Sequence, residues 1–221
     1  MDAVFVDVGG VLLVPHPAAI SQALAAAGLA VDLDPELALR AHYLGVRALD
    51  ETADGQAYLA TVVDVLGVPG HAQPALAALW RGPAIDLWRL PVPGSLDGLR
   101  RLAELGYKLA IISNSDGSVE AQLLEHQICQ IGQGAGVPVL AIVDSGVVGL
   151  SKPDPRIFHL AAERLGVAPE RATYVGDSRR YDVTGARAAG LLPVHFDPFE
   201  VCPDQHGHAH VHDLGEVRHL L

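Results

Sequence analysis

Lysine is nearly missing from this chain. Only Lys108 and Lys152 occur among fifteen basic residues; the rest are arginines. Positive charge as a whole is scarce, with 26 acidic residues and a net charge of −11. Nothing resembles a basic stripe, which argues against a nucleic-acid partner. Cysteine is limited to Cys129 and Cys202, too few for a disulfide framework. No apolar run reaches membrane-spanning length, and the first residues lack the charged and apolar regions of a signal peptide. The expectation is a cytoplasmic protein with no membrane partner, monomeric or homodimeric. Internal repeats and low-complexity tracts are also lacking. The 221 residues, half of them hydrophobic, suffice for one domain with an insertion or for two small domains.

What is present is organised around Val4-Phe5-Val6-Asp7-Val8-Gly9-Gly10-Val11-Leu12. A short apolar run beside turn residues reads as a buried strand of a parallel sheet. Ligands of open α/β sheets bind beyond the carboxyl ends of the strands, which is where Asp7 falls. Gly9 and Gly10 allow a tight turn and close backbone approach. An Asp at a strand end also serves as an N-cap, so Asp7 alone decides nothing.

After the Pro15-His16-Pro17 exit, residues 18–90 read as helix after helix: Ala18 to Leu29, Asp34 to Leu49, Ala57 to Leu66 and Gln73 to Leu90. Asp34-Pro35-Glu36 is a helix start, with an N-cap, a proline at the first helical position and an acid in the first turn. From residue 91 the chain alternates. The amphipathic helix Ser95 to Leu105 precedes a strand at Lys108 to Asn114. The helix Val119 to His126 precedes a strand at Val137 to Val143. The helix Pro155 to Leu165 precedes a strand at Thr173 to Asp177. The helix Tyr181 to Ala189 precedes a strand at Leu192 to Phe196. Such alternation implies a doubly wound, Rossmann-like parallel sheet. The expected organisation is an α/β core of residues 1–15 and 91–221 with an inserted all-helical cap domain of residues 16–90.

The polar residues past the strands are Asp7, then Ser113 and Asn114, then Lys152, then Asp177 and Asp182. In a chain that otherwise uses arginine, Lys152 marks a place for a compact ammonium. Carboxylates, a hydroxyl and an ammonium at one sheet edge suit a Mg²⁺-dependent phosphate site, with hard oxygen ligands for the ion and donors for the phosphoryl oxygens.

These segments resemble the four motifs of the haloacid dehalogenase (HAD) superfamily, mostly Mg²⁺-dependent phosphohydrolases. They are Asp7-Val8-Gly9-Gly10-Val11, Ile111-Ile112-Ser113-Asn114, Ser151-Lys152-Pro153-Asp154-Pro155, and Tyr174-Val175-Gly176-Asp177-Ser178-Arg179-Arg180-Tyr181-Asp182. The resemblance covers nearly all of the core, and the insertion matches a family cap in position and character. It implies that Asp7 is the nucleophile and forms an aspartyl-phosphate. It implies that Ser113, Asn114 and Gly10 contact the phosphoryl group or substrate, and that Lys152 holds Asp7 and the phosphate. Mg²⁺ would bind Asp7, the Gly9 carbonyl and Asp177, with Asp182 a ligand or an orienting group. The implied partner is a small phosphorylated metabolite, with the cap closing over it.

One position departs from the family pattern. Most of its phosphatases carry a second Asp two residues after the nucleophile as general acid and base; here that residue is Gly9. The loss leaves two alternatives: a 2-haloacid dehalogenase, which needs neither metal nor acid, and a weakly active or inactive phosphate-binding protein. Retention of both Asp177 and Asp182 favours the phosphatase over the dehalogenase. His16 is a candidate substitute acid, though an exposed loop histidine is the plainer reading. The alternating His206, His208, His210 and His212 would share one face of an extended segment, yet the following Asp213-Leu214-Gly215-Glu216-Val217 reads as a turn into a final helix and the resemblance implies a short strand there, rather than a specific metal site. Both cysteines read as inert thiols, and Tyr43, Trp80 and Trp88 as core of the insertion.

Overall fold

The computed structural model describes residues 1–203 and 207–221. Among the described residues ten strands follow in chain order: β1 (Ala3–Val6), β2 (Leu13–Pro15), β3 (Trp88–Pro91), β4 (Lys108–Ser113), β5 (Cys129–Ile131), β6 (Val137–Val139), β7 (Ala141–Asp144), β8 (Ala172–Gly176), β9 (Leu192–Phe196) and β10 (Ala209–Val211). Six form one sheet in the order β10-β9-β8-β1-β4-β7, and all its pairs are parallel. The first strand lies in the middle, and every residue of it is buried. That is why it reads as a continuous apolar run rather than an alternating one. Val6 stands level with Ile111 of β4 and Val175 of β8, so three carboxyl ends finish side by side.

Phe5, Ile112, Ile157, Phe158, Ala161, Tyr174 and Ala186 share one core cluster. Phe158 meets the Tyr174 ring edge-on at 4.9 Å between centroids. The helix Pro155–Leu165 supplies Ile157, Phe158, Ala161 and Leu165, an i, i+1, i+4, i+8 stripe that faces the core. Asp154 caps its start and Gly166, in the left-handed region, ends it.

The chain divides into two compact units, Met1–Leu12 with Pro91–Leu221, and Leu13–Leu90. Within the first, Val92 N–H donates to Leu12 O at 3.0 Å, so the points of departure and return are adjacent. The second has its own core, in which Ile20, Leu24, Leu59, Val62 and Leu76 are central. Tyr43 is buried, and Trp80 and Trp88 pack against that core. Its helices Pro17–Ala26, Pro35–Thr52 and Gly55–Val65 lie close to their expected places. The expected helix over residues 73–90 does not persist. It stops at Trp80, resumes as a single turn at Ala84–Leu87, and becomes β3, which pairs with β2. Gly82-Pro83 breaks it, because proline supplies no N–H to the helix.

The single strand expected over residues 137–143 is likewise two. β6 pairs with β5 in a separate small sheet, and only β7 joins the main one. Leu140 between them is exposed and donates its N–H to Leu109 O. Pro138 interrupts the donor pattern of an otherwise strand-like run. No helix among the described residues is long and apolar enough to cross a membrane.

Candidate active site

Each strand end delivers one polar group. Asp7 follows β1 directly, and its N–H still donates to Val175 O of β8 at 2.9 Å, so the backbone leaves the sheet only after the carboxylate is placed. Its Oδ1 accepts the Val8 N–H at 2.7 Å, and its Oδ2 lies 2.8 Å from Lys152 Nζ. The turn that follows has its positive φ at Gly10 (73°), and a Cβ there would run into the Asp177 carboxylate. Gly10 is therefore required by both conformation and space.

Asp177 follows β8, and Asp182 comes from a π-helical turn at Arg179–Val183. The Ser178 hydroxyl caps that turn by accepting from Tyr181 N–H at 3.1 Å, and the Ser178 N–H donates to Asp182 Oδ2 at 2.9 Å. The extra residue of a π turn returns Asp182 to the strand end. Gly176 permits this, since a Cβ at that position would clash with the Asp182 carboxylate.

Lys152 is buried, and its ammonium meets three oxygens: Asp182 Oδ1 at 2.7 Å, Asp7 Oδ2 at 2.8 Å and the Tyr174 hydroxyl at 2.9 Å. Three donors thus meet three acceptors. Burial opposes its charge, but Asp182 and Asp7 outweigh burial and hold it above its ordinary pKa. Tyr174 stays a neutral phenol, because burial and then Asp182 and Asp7 push it well above its usual value.

Asn114 bonds to the backbone of Lys152. Its side-chain Nδ2 donates to Lys152 O at 3.0 Å, and its Oδ1 accepts the Lys152 N–H at 2.8 Å. Both ends of the amide grip one backbone unit, so Asn114 positions the lysine. Ser113, buried at the end of β4, keeps the expected place.

Two further groups carry the site and were not singled out in the sequence. Tyr174 is one; a phenol inside a buried strand needs a polar partner, and that signal was available. Asp144, at the end of β7, is the other. It accepts from Gly117 N–H and Val119 N–H, both at 3.1 Å, and from Gly146 N–H at 2.9 Å, fixing the loop after Ser113. His16 caps the helix Pro17–Ala26 by accepting the Ala18 N–H at its Nδ1, 3.1 Å away.

Asp7, Asp177 and Asp182 each offer an oxygen within 4.8 Å of the others, and all three residues are buried. Lys152 is paired to two of these carboxylates, Asp7 and Asp182. Burial pushes Asp7 up to about 8; Lys152 opposes the shift, while Asp182 and Asp177 add to it. Three carboxylate oxygens at that spacing are donors that fit a hard divalent cation such as Mg²⁺. Lys152 and Tyr174 face Asp182 Oδ1, and Ser178 N–H faces its Oδ2.

A pH dependence follows. A carboxyl raised from 3.8 to about 8 by folding binds its proton more tightly in the folded chain than in the unfolded one. Its contribution to stability is complete below the unfolded value and is lost as pH rises through the folded one. In chelator, the melting temperature should fall between pH 5 and pH 8, and Mg²⁺ should raise it more at pH 8. Melting curves across that range, with and without Mg²⁺, check this; a response to Mg²⁺ that is the same at both ends would contradict it.

A family model, haloacid dehalogenase-like hydrolase, matches residues 1–190. The chain belongs to this family. Among its relatives, the phosphoserine phosphatase of Thermus thermophilus is 34% identical over 132 residues, 59% of this chain and 49% of that protein. The chain thus spans about half the length of the curated relative it matches. Two solved structures show the same fold. The HAD-hydrolase YfnB from Bacillus subtilis, bound to magnesium, superimposes with a TM-score of 0.64 at 19% identity, over 99% of this chain and 97% of that one. The 2-haloacid dehalogenase from Pseudomonas syringae pv. Tomato DC3000 does so with a TM-score of 0.57 at 21% identity, over 100% and 97%. A HAD fold alone therefore does not separate phosphoryl transfer from carbon–halogen cleavage.

Proposed function

We propose that this HAD protein is a Mg²⁺-dependent phosphohydrolase of small phosphorylated metabolites, acting through an aspartyl-phosphate on Asp7. The observation that carries the reading is the buried group of Asp7, Asp177 and Asp182 within reach of one another, with Lys152 paired to Asp7 and Asp182. Displacement of halide from carbon by an aspartate needs no metal; water must then cleave the ester formed, which can use one carboxylate as base, but a further buried carboxylate is costly unless it is occupied. The similarity to a phosphoserine phosphatase points the same way.

In this reading Asp7 attacks phosphorus, and its new O–P bond forms as the bond to the leaving oxygen breaks. Water then cleaves the acyl phosphate and releases inorganic phosphate. Lys152 holds Asp7, and its charge, with the Ser113 hydroxyl as donor, stabilises phosphoryl oxygens that gain charge in the transition state. Gly10 lets the backbone approach. Asn114 and Tyr174 keep Lys152 in place, from its backbone and from its ammonium. Asp7, Asp177 and the Gly9 carbonyl would hold Mg²⁺, with Asp182 beside them. When bound, the ion supplies the positive charge that the carboxylates and the phosphate lack. Gly9 offers no proton to the leaving group, so substrates with acidic leaving groups (acyl, aryl and sugar 1-phosphates) should turn over faster than alkyl phosphates.

The test is hydrolysis of p-nitrophenyl phosphate by the wild type in Mg²⁺ and in EDTA, beside halide release from 2-chloropropionate. Phosphate release that needs metal, with no halide release, is expected. Halide release in EDTA without phosphate release would reverse the assignment. Binding of phosphate without either reaction would make the protein a binder.

A further inference from the structure

A second group of side chains converges outside the carboxylate cluster. His195 of β9, Cys202, and His208 and His210 at β10 each offer one ligand atom, and the four atoms lie within 4.8 Å of one another. All four residues lie beyond residues 1–190, the stretch that the family model matches.

The fold builds this cluster from several directions. β9 and β10 run parallel with His195 level with His210, so these two rings stand side by side, 5.1 Å apart. His208 lies 4.5 Å from the His210 ring and 5.1 Å from that of His195. Asp197, almost completely buried, accepts the N–H groups of Val201 at 2.8 Å and Cys202 at 3.0 Å, which fixes the turn that presents the thiol. The same carboxylate stands 3.7 Å from His210 Nδ1. His206, part of the same histidine tract, lies outside the described residues.

Proton bookkeeping gives the direction of one lone pair. His195 Nε2 lies 2.8 Å from the Asp177 carbonyl oxygen, which can only accept, so the proton of neutral His195 sits on Nε2. Nδ1 then presents its lone pair towards His208 Nε2, 3.1 Å away. A histidine that donates one ring N–H to a backbone carbonyl and aims the other nitrogen inward has the usual arrangement of a metal ligand and its outer partner. Cys202 Sγ lies 3.9 Å from the same His208 nitrogen. Zinc bonds of about 2.0–2.1 Å to nitrogen and 2.3 Å to sulfur put tetrahedral donors about 3.3–3.6 Å apart. The spacings of 3.1 and 3.9 Å bracket that range. Three imidazoles and a thiolate are borderline-soft donors that suit Zn²⁺ and not Mg²⁺.

We propose that His195, Cys202, His208 and His210 form a tetrahedral zinc site that fastens the C-terminal strand β10 and the Cys202 turn to β9. All four positions are taken by protein, as in a structural site. Through its Nε2–H, His195 would also steady the peptide of Asp177, so the ion would brace the catalytic edge without taking part in the reaction.

The test uses the full chain, stripped of metal, with Co²⁺ and Zn²⁺ as probes. One equivalent of Co²⁺ should give the intense visible bands of a tetrahedral ion and a near-ultraviolet thiolate charge-transfer band. Both should persist in excess Mg²⁺ and in Asp7→Asn, which separates this site from the carboxylates. Cys202→Ser should lose the charge-transfer band. His208→Ala should weaken zinc binding by more than the roughly 10–100-fold that loss of an outer partner costs. Zinc should raise the melting temperature of the wild type and should not raise that of Cys202→Ser. If His208→Ala does not fold, the near-isosteric Cys202→Ser carries the test. A Co²⁺ spectrum without the thiolate band, or zinc binding unchanged in Cys202→Ser, would overturn the proposal.

Discussion

Asp7→Asn is expected to lower the turnover of p-nitrophenyl phosphate by roughly 10⁴-fold or more, the scale on which loss of a covalent nucleophile is felt. An amide at this position is too weak a nucleophile to form the acyl phosphate. The change should not cost the fold. Burial, and next to it Asp182 and Asp177, oppose the charge of Asp7, so removing that charge relieves a cost. The Asn oxygen can still accept from Lys152 or from Val8 N–H, though not with both original contacts intact. The melting temperature in chelator at pH 8 should therefore stay near that of the wild type or rise. The increment from Mg²⁺ should shrink, since a donor to the ion is gone. Steady-state kinetics and melting curves on one preparation read these together. Lost activity with an unchanged Mg²⁺ increment would leave Asp7 as nucleophile but remove it from the metal site. Turnover near that of the wild type would move the chemistry to another group.

The candidate site was legible wherever a group follows a buried strand without a gap. Asp7, Ser113 and Asp177 obey that rule, and a parallel sheet brings them together because its strands end level. Lys152 sits far from any strand end and was marked instead by rarity, as one of two lysines. Asp144 obeys the rule as well, directly after the run 137–143, but position at a strand end does not separate a carboxylate that anchors the loop after Ser113 from one that faces a ligand. Asn114 shows a different limit. Its position beside Ser113 is plain in the sequence, but which neighbour its amide grips depends on where Lys152, 38 residues later, folds back. The histidine cluster fails for the same reason. His208 and His210 lie two apart and suggest a shared strand face, but His195 and Cys202 join them only through the pairing of β9 with β10 and the turn fixed by Asp197. Composition points to the tract and only topology completes the ligand set.

Gly9→Asp should raise kcat/KM for alkyl phosphates by about 10²-fold, the lower end of what a placed general acid gives. Positive φ in this turn falls on Gly10, whose Cβ would meet Asp177; an Asp two residues after the nucleophile avoids that position. The size of the gain should follow the leaving group. kcat/KM reports events up to formation of the aspartyl-phosphate, where an alkoxide needs a proton and p-nitrophenolate does not. Alkyl substrates should therefore gain much more than p-nitrophenyl phosphate in this parameter. Attack of water on the acyl phosphate needs a base whatever has left, so kcat should rise for both wherever that step is slow. Gly9→Asn supplies the control, with similar bulk and no transferable proton. A gain shared by the Asn variant would be steric. No gain with alkyl substrates in Gly9→Asp would mean that the protein already moves this proton by another route.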